Sequence, residues 1–381
     1  MVSGRPRVVL FSGGTACRSI NVALCRLPLE LTRIVPAWDS GGSSKSIRET
    51  FAMLAVGDTR QALMTMAYGE GRADPVVKIF NARISAGSGR AEARAEFDHF
   101  ASGRHPLLGL LEPALRRVVL DYLGIFEQRS GPGFDFRNGS IGNFILTGAF
   151  LRLGRDINGA ILEFRQLCAI GGHVWPSTTD DTVRLDAVLA DGSLVQEQHR
   201  ITALSPDQAE IGIAEIRLAA AGGIAVRANA AALDAVRSAD LIVFGPGSLF
   251  TSLMPHLLVE GVAAELAANR GAAKVLIGNI LDSAETAGMN VADMVAAFLT
   301  LASALAGGQS SALLTHVLSN AELFPFERRL GTVRYARNGP LEALCAGHAL
   351  RLLIGPFEDA WNRGEHDGPA VAAALAGLLH A

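Results

Sequence analysis

The chain has little of what would tie it to a membrane, an oxidising compartment or a nucleic acid. No run of about 18 uninterrupted apolar residues occurs, so no membrane-spanning helix and no membrane partner are expected. Only four cysteines are present, Cys17, Cys25, Cys168 and Cys345. They form no CxxC pair and have no spacing with histidine suited to zinc, so they read as reduced, buried small hydrophobes. Charge of one sign is also lacking: 34 basic and 37 acidic residues leave a formal net charge of −3 without long blocks. General nucleic-acid binding needs a concentrated basic face and is therefore not expected. The N-terminus runs from a short basic lead straight into a strand and a glycine loop, without the apolar core of a signal peptide, and the expectation is a cytoplasmic protein. Aromatics are scarce at 6%, yet 49% of the 381 residues are apolar and 19% charged, which is the balance of a well-packed globular protein. Two familiar nucleotide signatures are missing as well: there is no GxGxxG and no GxxxxGK[ST].

What is present is a strand, a glycine corner and a polar segment, twice. Leu241–Phe244 is a run of buried-strand residues that stops at Gly245-Pro246-Gly247, after which a Ser/Thr-rich segment is expected to open a helix. Backbone N–H groups in the first turn and the helix dipole would make this corner an anion site. Gly247 would let a phosphate approach, with Ser248, Thr251 and Ser252 adding hydroxyls; a plain loop is the competing reading. The second corner follows the strand Arg7–Phe11 and reads Ser12-Gly13-Gly14-Thr15, either a diphosphate cradle or a tight turn.

A strand over Leu31–Ala37 delivers Trp38-Asp39-Ser40-Gly41-Gly42-Ser43-Ser44, and an acid at a strand's carboxyl end sits where open α/β sheets bind ligands. Asp39 is a candidate metal ligand or base, or else a helix cap. Asp58 in Gly57-Asp58-Thr59-Arg60 is a good N-cap; any pairing with Asp39 requires the loop to fold back. Asn138, Ser140 and Asn143 carry groups that could read a base or ribose, or cap the apolar helix that follows. Gly142 in its first turn costs about 1 kcal/mol against alanine, which a close approach to a ligand or to another helix would explain. Asn279 ends a further strand, Ala273–Ile277.

Alternation of strands and helices predicts a Rossmann-like α/β fold, a mostly parallel sheet covered by helices on both faces. One large domain over 1–381 is expected, with a helical insertion at 71–133 and a β excursion at 172–205 whose Asp191-Gly192 is a hairpin turn. The alanine-rich terminal helix from Gly368 is a candidate oligomer contact, as in a homodimer.

Taken together these loops resemble the 2-phospho-L-lactate transferase family and its relative, the gluconeogenesis factor (UPF0052) family. The resemblance is carried in order by Ser12–Thr15, Asp39–Ser44, Gly57–Arg60, Gly139–Asn143, Gly245–Pro255 and Asn279 with Glu285-Thr286-Ala287-Gly288. In the transferase branch it implies transfer of a 2-phospholactyl-type group from a GDP-linked donor to a hydroxyl of a deazaflavin, with Asp39 and Asp58 catalytic and holding Mg2+. It further implies nucleotide or phosphate contacts from Gly13, Gly14, Thr15, Ser43, Ser44, Asn138, Ser140, Gly142, Asn143, Gly245, Pro246, Gly247, Ser248, Ser252 and Asn279. In the other branch the same cradle binds a UDP-sugar and the protein is a regulator without turnover. This chain departs from the regulatory branch in having Trp38-Asp39 where two acids are usual, and Asn138-Gly139-Ser140 where Gly-His-Ser is usual.

Overall fold

The computed structural model describes residues 4–14, 17–69, 74–308 and 310–379. Thr15 lies outside the described residues.

Strands β1 (Arg7–Phe11), β2 (Glu30–Val35) and β3 (His173–Pro176) form one half of a seven-stranded sheet. A separate antiparallel sheet holds β4 (Arg184–Leu189), β5 (Leu194–Gln196) and β6 (Ile213–Ala219). The main sheet continues with β7 (Leu241–Phe244), β8 (Ala273–Ile277) and β9 (His316–Asn320). A short ribbon of β10 (Arg329–Leu330) and β11 (Val333–Arg334) precedes the last strand, β12 (Arg351–Gly355). The spatial order is β3-β2-β1-β7-β8-β9-β12, and every neighbouring pair is parallel.

This order fixes where a ligand can bind. From β1 the chain steps outward to β2 and β3, then returns to place β7 on the other side of β1 and continues in the opposite direction. Connections leaving β1 and β7 diverge, opening a crevice at their carboxyl ends, the topological switch point of an open α/β sheet. Both strands are buried beyond Arg7, as continuous apolar runs in parallel sheets are. Phe11 and Phe244 are partners in register and stack with ring centroids 4.9 Å apart just below the crevice.

Helices flank the sheet much as periodicity predicts, with instructive differences. The helical insertion packs into the main body: Phe97 and Phe126 meet Phe144 of helix Ile141–Arg152, Phe126 and Phe144 lying 4.5 Å apart. In the β excursion, His173–Pro176 pairs with β2 in the main sheet, while the antiparallel sheet runs on to Ala219. Terminal helix Gly368–Gly377 buries Val371, Ala372 and Leu375 and docks on helix Arg18–Cys25, where a side chain at Gly368 would collide with the Ser19 carbonyl. The segment after Gly247 is not the expected α-helix. It forms a five-residue π turn, Leu249–Leu253, and a 3₁₀ turn, Met254–Leu258; a regular helix starts only at Val262. Pro255 lacks the N–H that a continuing helix needs, and the Phe250 N–H is claimed by the Glu285 carboxylate at 3.1 Å. Among the described residues no helix is long and apolar enough to cross a membrane.

Candidate functional site

At the end of β1, Ser12 is buried and Gly13 and Gly14 lie close against side chains from other elements. A Cβ on Gly13 would lie 2.8 Å from Ser252 Oγ, and one on Gly14 would lie 2.7 Å from Asp58 Oδ1. The first contact joins the β1 corner to the β7 corner. The second joins it to the acidic side of the site. The two corners are further linked by the Cys17 thiol, which donates to the Gly245 carbonyl at 3.4 Å. Burial pushes that thiol up to about 12, so it serves as a small polar spacer and not as a nucleophile.

Beneath the β1 corner lies Arg33, fully buried in the middle of β2. Its Nη2 donates to Ser12 Oγ at 2.7 Å and to the Gly13 carbonyl at 2.9 Å, so the guanidinium holds the corner from below. Burial lowers its pKa, opposed by Cys17 and Asp58, which places its positive charge under the acidic part of the site.

Asp39 and Asp58 are brought together by the loop that follows β2. Asp39 accepts the Gly41 N–H at 3.0 Å and the Ser44 hydroxyl at 2.7 Å, so it organises the start of helix Gly42–Phe51 while remaining beside Gly57. Arg48 donates to the Asp39 carbonyl at 2.9 Å and also to the Val183 carbonyl, tying the loop to the small sheet. Asp58 lies in the first turn of helix Gly57–Gly69, not at its N-cap as the sequence suggests, because the helix already begins at Gly57. Its carboxyl is pushed up to about 7, first by burial and then by the Asp39 charge; Arg33, Arg60 and the Gly14 amide pull the other way. The two acids thus share one electrostatic environment, although they come from different elements.

Asn143 completes this side. It donates to Ser43 Oγ at 3.0 Å and accepts from Arg60 Nε at 3.2 Å. Ser140 is buried and caps the Asn143 N–H at 3.4 Å, whereas Asn138 packs beside Gly42 and Arg83. Gly142 has the other explanation open to it from the sequence: a side chain there would strike the Phe80 carbonyl, so its smallness serves helix packing.

The β7 corner is tightly pinned by hydrogen bonds. Gly245 and Pro246 are joined by a cis peptide bond. Asn279, at the end of β8, accepts the Gly247 N–H at 3.0 Å and donates to its carbonyl at 2.9 Å. The Gly247 N–H is therefore already committed to Asn279, while the Ser248 and Ser252 hydroxyls stand at the same corner. Glu285, buried among these turns, accepts Thr251 Oγ1 at 2.6 Å. Trp38 Nε1 donates to the Thr251 carbonyl at 2.8 Å, so the strand that presents Asp39 also fixes this turn.

Above the corners opens a cleft of about 700 Å³ whose walls include Pro246, Gly247, Ser248 and Asn279 from one side and Arg18, Gln61 and Tyr68 from the other. Gln61 bridges the cleft and the acids, since it lies 3.5 Å from the Cβ position of Gly14 and accepts from Arg60 Nη1 at 2.8 Å. Sequence reasoning missed Arg33, Gln61 and His199. Arg33 had a signal, a charged residue in the middle of the buried run Glu30–Val35. His199 had none: it reaches the loop from beyond the small sheet, with its Nδ1 2.9 Å from Ser40 Oγ.

Among the described residues no group of three or more His, Cys, Asp or Glu is gathered as a metal cage. Two neighbouring carboxylates do suit Mg2+, which is usually held by one or two carboxylates together with substrate phosphates and water. Each Asp39 oxygen accepts one hydrogen bond and retains acceptor capacity, so this donor set fits such an ion.

The profile of the family described as 2-phospho-L-lactate transferase CofD matches residues 8–335. Proteins named gluconeogenesis factor from Listeria monocytogenes and Listeria innocua are 32% and 31% identical over 277 residues, 73% of this chain and 67% of theirs. A relative from Nostoc is 28% identical over 293 residues, 77% of this chain but only 51% of its own, so the chain spans about half of that protein. In fold, the chain is similar to a crystal structure of a UPF0052 family member from Bacillus halodurans, with a TM-score of 0.70 at 21% identity, covering 98% of this chain and 99% of that one.

Proposed function

Since the chain belongs to the 2-phospho-L-lactate transferase (CofD) family, we propose that it binds a nucleoside-diphosphate-linked donor across the β1/β7 crevice and transfers a phosphorus-containing group to a hydroxyl acceptor. The observation that carries this reading is the meeting of two glycine corners with Asp39 and Asp58 at the switch point of the sheet. In such a transfer the acceptor oxygen forms a new bond to phosphorus, the bond from that phosphorus to the bridging oxygen breaks, and the nucleoside monophosphate leaves with that oxygen. The hydroxyl proton is released.

Asp39 and Asp58 would hold Mg2+, which when bound neutralises the diphosphate charge. The Gly13-Gly14 backbone would line the diphosphate, and the Ser248 and Ser252 hydroxyls would meet it from the β7 side. Arg33 holds the β1 corner rigid, so the site costs little to organise when a donor arrives. Positioning of this kind supplies much of the rate in phosphoryl-type transfers, even without a dedicated base. The 700 Å³ cleft beside Tyr68 offers room for the acceptor.

A second reading is a nucleotide-sugar-binding regulator without turnover, favoured by relatives that carry the name gluconeogenesis factor. Incubating the protein with Mg2+ and a GDP- or UDP-linked donor, with and without a hydroxyl acceptor, separates the two. Acceptor-dependent release of nucleoside monophosphate supports transfer. Tight donor binding with no release supports the regulator, and no binding of any nucleotide removes both.

A further inference from the structure

The turn that opens helix Ile141–Arg152 is approached by two guanidinium groups. Backbone pairing sets one of them: Ile84 N–H donates to the Gly139 carbonyl at 2.9 Å and Ile141 N–H to the Ala82 carbonyl at 3.0 Å, which places Arg83 opposite Ser140. Arg83 Nη1 then donates to the Asn138 carbonyl at 2.7 Å and to Asn138 Oδ1 at 3.1 Å. Arg60 reaches the same turn from helix Gly57–Gly69. Its Nε donates to Asn143 Oδ1 at 3.2 Å, and its Nη1 donates to Gln61 Oε1 and Asn81 Oδ1, both at 2.8 Å. All of these acceptors are neutral.

Ser43 closes the group through its bond from Asn143, and the Cβ position of Gly42 lies 4.0 Å from Arg83 Nη1 and 3.9 Å from Asn138 Nδ2. Asp58, two residues before Arg60, and Arg83 are the charged groups that act on Arg60. Placing two like charges beside amides is unfavourable unless an anion joins them, and a guanidinium fork is shaped to take an oxyanion.

The geometry points to an oxyanion subsite formed by Arg60, Arg83, Asn138 and Ser43, which takes a phosphate or carboxylate carried by the bound donor in addition to its diphosphate. This deepens the donor-binding reading and rests on it for the identity of the ligand, but the subsite itself can be tested with simple anions. It favours a donor whose transferred part is charged over one ending in a neutral sugar, because a neutral group adds no negative charge between the two guanidinium groups.

The test is calorimetric titration of the full chain, without divalent cation, with inorganic pyrophosphate in one arm and malonate in the other. Arg83 is exposed, so Arg83→Gln should fold normally; Arg137→Gln removes a nearby arginine already paired with Asp135 at 2.6 Å. Arg83→Gln should weaken binding of the preferred anion about tenfold and Arg137→Gln should leave it unchanged. Stronger pyrophosphate binding assigns a phosphate, stronger malonate binding a carboxylate. Equal affinity in wild type and Arg83→Gln, equal losses in both variants, or no binding of either anion would overturn the subsite. If wild type and Arg83→Gln bind a nucleoside diphosphate equally in Mg2+ while one of those results is obtained, only the subsite fails and the donor-binding reading stands.

Discussion

The two corners that flank the crevice are built on opposite principles. Around Gly13 and Gly14 the chain gathers charge: Asp39, Arg33 and Arg60 all act on Asp58 there. Around Gly247 it gathers hydrogen-bonded restraint, with Asn279 occupying both backbone groups of the glycine and the buried Glu285 and Trp38 fixing Thr251. One side can respond to a ligand's charge and the other can only hold a shape. Similar glycine-bearing motifs in sequence therefore do different work, and the difference lies in what distant elements bring to each.

The comparison can be broken most severely by swapping the kind of glycine that is replaced. Gly142→Ala drives a methyl into the Phe80 carbonyl, a backbone group that cannot turn aside, and should cost about 3 kcal/mol in chemical denaturation. Gly13→Ala meets only the Ser252 side chain, whose Oγ can rotate and whose Cβ at 3.1 Å must give slightly, so stability should fall by about 1 kcal/mol while nucleotide binding is lost. Comparable stability losses for the two would mean that the β1 corner is only a packed turn.

The β7 side should be the one that yields to acid. His366, buried against the Gly278 carbonyl, is held down to about 4, and His256, buried beside Phe11 and Trp38, to about 3, in both cases chiefly by burial. Their folded pKa values lie below the unfolded value of 6.5, so the stability they confer is complete above about pH 6.5 and is lost as pH falls towards 4 and 3. The loss attributable to His366 is roughly 3 kcal/mol. Thermal melts from pH 7 to pH 4 should fall more steeply for wild type than for His366→Gln; parallel curves would contradict the assignment. A smaller effect is expected from Glu285→Gln, which keeps the shape of a buried carboxyl but gives up one acceptor. It should cost about 1 to 2 kcal/mol and leave the Mg2+ dependence of nucleotide binding unchanged.

Much of this architecture was legible in the residues. Buried runs such as Arg7–Phe11, Leu241–Phe244 and Ala273–Ile277 gave strands with the same bounds, since a strand covered on both faces has little choice of residue. Arg351–Gly355 joins the sheet edge beside His316–Asn320 without a strong local pattern, because an edge strand is set largely by its neighbour. Asp39 and Asp58 were recognisable as acids near glycine loops, but their mutual effect depends on the fold-back at Gly57. Arg60 and Arg83 come from separate helix ends and meet only through the Asn138–Asn143 turn. No spacing in the chain records that meeting.

Thermal unfolding with GDP and with UDP, in Mg2+ and in chelator, for wild type and Asp39→Asn, measures whether the acids at the charged corner act with a divalent cation on a bound diphosphate. At about 100 times the dissociation constant, the nucleotide that fits should add about 2.7 kcal/mol of stability in Mg2+. This gain should shrink in chelator and in Asp39→Asn, which should itself fold like the wild type. The same stabilisation in all four conditions, or none in any, would contradict the account.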